Sequence, residues 1–187
     1  MNMKKIAFLT ASVVSALLAS QAFAVSNNTI TFQGLVTGET CTVTVNGNTA
    51  KPLVLLPTIS TSALSNGNVA GKTTFEIGVT GCTGSDTDAT TISTQLSGNN
   101  VTKAGNLGNL ATEGAAENVE IQIVSNKEDN KVITFGEGTS YIGQGHLTLA
   151  AGVKNASATY TAQYVAVEKD AVAGAVEATM QYAIIYK

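Results

Sequence analysis

The chain has 187 residues, 44% of them hydrophobic and only 12% charged, with a formal net charge of −3 and no arginine. Without a basic face or an arginine it does not suit nucleic acid, whose phosphates and base edges are read by clustered Lys and Arg. Few charges and abundant Thr, Val, Ala and Gly suit pleated strands and turns better than helices, so the first expectation is an all-β protein.

Met1–Lys5 is a short basic start, Ile6–Ala19 an almost unbroken apolar run, and Ala22-Phe23-Ala24 a small-x-small pattern. Together they read as a secretory signal peptide over residues 1–24. The competing reading is a membrane anchor, but the run is too short for the roughly 20 residues a helix needs to cross a bilayer core. Cleavage after Ala24 removes Lys4 and Lys5, so eight lysines then face thirteen acidic residues and the net charge becomes about −5. The remaining Val25–Lys187 has no second apolar stretch of spanning length and is sized for one domain, which predicts a soluble exported product.

Residues 25–38 open this mature chain. Ile30, Phe32, Gly34 and Val36 fall on one face and Thr29, Thr31, Gln33 and Thr37 on the other, with Leu35 the exception. A period of two predicts a strand with one buried side. Two cysteines follow, Cys41 and Cys82. In an oxidising compartment an even count points to one bridge. A metal or redox pair is the alternative, but there is no Cys-x-x-Cys and the single histidine cannot complete a zinc site.

Beyond the opening segment, β-branched and aromatic runs predict strands near Thr40–Val45, Pro52–Leu56, Thr73–Thr80, Thr90–Leu96, Asn118–Ser125, Lys131–Phe135, Gly145–Leu149, Ala158–Val167 and Ala175–Tyr186. Asn46-Gly47 is a hairpin signal, because both central positions of a type I′ turn need positive φ, and Glu128-Asp129-Asn130 is a second polar reversal. Gly and Asn crowd Gly98–Gly114, where an irregular loop is expected. At the end of the chain Gly174, Val176, Ala178, Met180, Tyr182, Ile184 and Tyr186 alternate with mostly polar neighbours, again giving one apolar face. By itself, each alternating segment is read equally well as an ordinary edge strand packed in its own core.

These residues carry a resemblance. Thr31-Phe32-Gln33-Gly34-Leu35-Val36 lies shortly before Cys41, and Gly81-Cys82 closes the strand Phe75-Glu76-Ile77-Gly78-Val79. Asn118–Ile123 and Tyr160–Tyr164 supply a central and a late strand; Gly174 is fourteenth from the end and Tyr186 penultimate. In this order, over essentially the whole chain, they resemble the major subunits of type 1-like pili built by the chaperone–usher pathway. The resemblance implies an incomplete immunoglobulin-like sandwich over residues 39–187, lacking its last strand and bridged by Cys41 and Cys82. Donor-strand exchange would complete it: Ile30, Phe32, Gly34 and Val36 of one subunit would fill an apolar groove in the next, with Gly34 at the narrowest point. Gly174 to Tyr186 would border that groove and dock a periplasmic chaperone, which holds the C-terminal carboxylate with a basic residue. The implied partners are identical or homologous pilin subunits, the chaperone and an outer-membrane usher. The implied product is a homopolymeric extracellular pilus that contributes to cell adhesion, with no cofactor. A minor adaptor subunit and a free-standing secreted carbohydrate-binding module are the alternatives; a tip adhesin would need a second domain.

Catalytic signals are weak, and no enzyme is expected. His146, in Gly145-His146-Leu147, has no nucleophile nearby in sequence and reads as a surface or strand-edge residue. Ser85-Asp86-Thr87-Asp88 offers two carboxylates but lacks the further ligands of a calcium loop, and so reads as a solvated turn. No carboxylate pair stands out for glycoside hydrolysis.

Overall fold

A computed structural model describes residues 41–50, 52–136 and 138–186. The expected signal peptide and the strand predicted over Thr29–Thr37 lie outside them. Among the described residues nine strands form two sheets: β1 (Thr42–Val45), β2 (Val69–Thr80), β3 (Thr90–Gly98), β4 (Leu107–Gly108), β5 (Val119–Ser125), β6 (Lys131–Ile133), β7 (Tyr141–Leu149), β8 (Ala156–Ala166) and β9 (Met180–Tyr186). One sheet has the order β1-β2-β8-β5-β4, with β6 also on β5; the other has β7-β3-β9. Every strand pairing is antiparallel.

The alternation that predicts the central strands also fills the core. Phe75, Ile77 and Val79 of β2 are buried together with Ala158, Tyr160 and Ala162 of β8 and Ile121 and Ile123 of β5. Facing them are Ile92 and Leu96 of β3 and Leu147 and Leu149 of β7. Cys41 and Cys82 are bonded, with Cα atoms 4.1 Å apart, which ties the start of β1 to the end of β2. A closure of this length stabilises by about 4 kcal/mol in the loop-entropy account. At the other end of β1, Asn46 (φ 48°) and Gly47 (φ 78°) make the expected tight reversal, closed by bonds between Val45 and Asn48 in both directions.

Three expectations change. Pro52–Leu56 belongs to no strand; among the described residues no backbone hydrogen bond ties residues 52–59 to a neighbour. The Gly98–Gly114 stretch contains β4, paired to β5 through Leu107 and Gly108. His146 is neither a surface nor an edge residue but is only 6% exposed. The cause is a bulge: Ile92 faces Leu147 and Thr94 faces Gly143, so Gln144, Gly145 and His146 stand opposite Ser93 alone. Gly145 takes φ 65° and donates its N–H to Ser93 Oγ at 3.1 Å. That turn swings the imidazole inward.

There His146 joins the two sheets. Its Nδ1 lies 2.9 Å from the Tyr160 hydroxyl, which lies 2.6 Å from Thr94 Oγ1, and its Nε2 lies 3.2 Å from Glu128 Oε1. Tyr141 donates to the same carboxylate oxygen at 2.9 Å. An ionised carboxylate only accepts, so Nε2 carries a hydrogen; in the neutral ring Nδ1 then accepts from Tyr160, and Thr94 donates to Tyr160. The Tyr141 hydrogen bond holds the Glu128 carboxyl below the usual carboxylate range. Burial pushes the Tyr160 and Tyr141 phenols up.

Candidate functional site: an apolar groove beside the last strand

β9 is paired to β3 along one edge, and among the described residues no strand pairs the other edge of residues 180–185. Among the described residues, hydrogen bonds hold the segment leading into it from one side only. Ala116 donates to the Ala175 carbonyl (2.9 Å), Ala175 to Gly114 (2.7 Å) and Leu110 to Glu177 (2.7 Å). Asn109 adds a side-chain clamp: Nδ2 donates to the carbonyls of Ala175 (2.9 Å) and Ala116 (3.1 Å), while Oδ1 accepts from Glu177 (3.0 Å) and Ala111 (3.0 Å). In extended chain, alternate residues aim their backbone groups at opposite edges. Residues 175 and 177 therefore spend theirs on this support, and those of Val176 and Ala178, aimed the other way, bond to no other described residue.

That other side is a groove of about 540 Å³. One bank is residues 52–56 and the other Val176–Met180 with Tyr182. Its floor is the core itself, with Phe75, Leu107, Ile121, Ile123 and Ala162. Val54 and Leu56 pack on the core from one bank and Val176, Ala178, Met180 and Tyr182 from the other, all half-buried. Tyr164 and Val176 also line a second cleft of about 390 Å³ that runs to Thr58–Thr61 and Ala171–Ala175. The Tyr164 ring thus stands between the two spaces. It lies against Gly71 (φ 65°), where a Cβ would come within 2.6 Å of Cδ2, and burial raises its phenol.

Of the seven C-terminal residues singled out by alternation, Val176, Ala178, Met180 and Tyr182 line the groove. Ile184 and Tyr186 continue the same face of β9 against the core. Gly174 lies in the second cleft, against the backbone of Ala115 and Ala116, where any Cβ would collide. Ile30, Phe32, Gly34 and Val36 fall outside the described residues. Asn109 and Tyr164 escape a reading of the sequence as groove residues. Asp86 and Asp88 sit in an exposed turn organised by Ser85 Oγ, which accepts the N–H groups of Thr87 and Asp88.

A two-sheet antiparallel sandwich, cross-linked near the start of its first described strand and open beside its last, defines a protein of the pilin class. The chain belongs to the fimbrial protein family, whose model matches residues 30–187. It is 36% identical to the F17 fimbrial protein of Escherichia coli over 99% of this chain and all of that one. It is 34% identical to the major fimbrial subunit SMF-1 of Stenotrophomonas maltophilia over 86% and 93% of the two chains. In fold it is similar to the P pilus rod subunit PapA, with a TM-score of 0.57 at 17% identity over 78% of this chain and 99% of that one.

Proposed function

We propose that this fimbrial subunit polymerises by donor-strand exchange, with residues 25–38 of one copy laid into the groove of the next. The observation that carries the reading is the groove's combination of an apolar floor with a backbone edge at Val176 and Ala178 that bonds to no other described residue. A side-chain pocket for a small molecule needs no such edge; an added strand does. Ile30, Phe32 and Val36 supply side chains for the floor, and Gly34 takes the narrowest point, where the backbone must come close. Before assembly a periplasmic chaperone covers the same edge, docking along Gly174–Tyr186, and an outer-membrane usher receives the complex. The assembled homopolymer is an extracellular adhesive pilus, a structural rather than catalytic role.

The test is to express the full chain in a periplasm with a chaperone–usher pair and run unboiled samples on a denaturing gel. The expected result is a ladder of detergent-resistant multimers that Gly34→Leu abolishes while the chaperone complex persists. A ladder unchanged by Gly34→Leu, or a stable monomer that needs no chaperone, overturns the reading.

A further inference from the structure

Leu53 and Leu55 are 73% and 75% exposed, the two most exposed large apolar side chains among the described residues. They alternate with Val54 and Leu56, which pack on the core, so the bank formed by residues 52–56 is apolar on both faces. A strand with one solvated face alternates with polar residues; one apolar on both sides is built to be covered twice. On the opposite bank the positions that alternate with the lining ones are Glu177, Thr179 and Gln181, all polar and exposed, so along the groove the apolar outer strip belongs to residues 52–56.

The occupant suggested by the groove is a strand lying between these banks, and the segment proposed for it carries one residue out of pattern. Leu35 is the single large apolar side chain on the face of residues 29–37 opposite Phe32 and Val36. With Phe32 and Val36 turned to the floor, the period of two turns Leu35 outward, beside Leu53 and Leu55. Directly opposed and diagonal side chains on neighbouring strands touch in this way. We infer that Leu53 and Leu55 form an outer seat for Leu35 of a second copy, closing over the inserted strand from the solvent side and slowing its release. This rests on the strand-exchange reading and adds to it a contact outside the groove.

Four full-length chains decide it: the unchanged protein, Leu35→Thr, Leu53→Thr/Leu55→Thr, and the combination. Detergent-resistant multimers are purified from each and their decay is followed at fixed temperature on a denaturing gel. Because residues 53 and 55 are largely exposed, their substitution leaves the subunit folded, which equal thermal midpoints of the chaperone complexes check. Leu35→Thr and the double substitution are each expected to shorten the multimer half-life by roughly two- to tenfold, the scale of one or two cross-strand pairs. The combination is expected to be no faster than either alone. Half-lives equal to the unchanged protein, or effects that multiply in the combination, overturn the inference while leaving strand exchange standing. Absence of multimers from the unchanged protein overturns both.

Discussion

Gly174 packs face-on against the backbone of Ala116, so closely that a Cβ at 174 would overlap main-chain atoms of residues 115 and 116. That contact lets Ala116 donate to Ala175 and Ala175 donate to Gly114, which sets the height at which the chain enters the groove bank at Val176. Gly174→Ala is therefore expected to push the two backbones apart and weaken both bonds. The expected cost is about 2 kcal/mol, the scale of overpacking plus a weakened hydrogen-bond pair. A lowered denaturation midpoint of the chaperone complex, with faster amide exchange at Ala116 and Ala175, is the expected result. An unchanged midpoint would mean that the 114–116 segment shifts without strain.

Asn109 does for Ala175–Glu177 what a neighbouring strand does elsewhere, giving two hydrogens to carbonyls and taking two from amides. Asn109→Ala removes all four bonds, with an expected loss of about 2 kcal/mol once water replaces the exposed ones. Asn109→Asp keeps the acceptors but sets a charge against the carbonyls of Ala116 and Ala175, so it should be at least as destabilising as Ala. Urea midpoints of the three proteins check the order. If Asp matched Asn, the donor half of the clamp would carry no weight.

The central strands are legible in the sequence because burial on one face writes a period of two, as in Phe75-Glu76-Ile77 and Ile121-Gln122-Ile123. Asn46-Gly47 is legible because its turn needs positive φ at both residues. What escapes does so for physical reasons. Pro52–Leu56 has strand composition, yet composition cannot state whether a neighbour exists to complete the ladder. The alternation of Gly174–Tyr186 names the apolar face but not where pairing begins, since Ala175–Glu177 is supported by a loop and one side chain rather than a strand. His146 is hidden by a bulge that breaks the period between Gly143 and Leu147, and a polar residue just past a positive-φ glycine looks like surface. Asn109 lies in a Gly- and Asn-rich stretch, where nothing local separates a clamp from a solvated loop.

The bond from Tyr141, with lesser support from Lys131 and His146, lowers the Glu128 carboxyl below its ordinary value of 4.5 against the opposing effect of burial. A group depressed in the folded state stabilises fully above its unfolded value and loses that contribution as pH falls through its folded value. Glu128→Gln should therefore be less stable than the unchanged subunit at pH 7, with the gap closing as pH drops below about 4.5. The comparison is repeated in a His146→Gln background, so that the imidazole 3.2 Å from Glu128 does not contribute to the difference. Lys131, 3.3 Å from Glu128 Oε2 and mostly exposed, adds little. Thermal midpoints of both proteins between pH 7 and pH 3 check the claim. A constant offset across that range would place the stabilisation in the shape of the side chain rather than in its charge, and would leave the hydrogen bonds through His146 and Tyr160 to Thr94 as the clamp between the sheets.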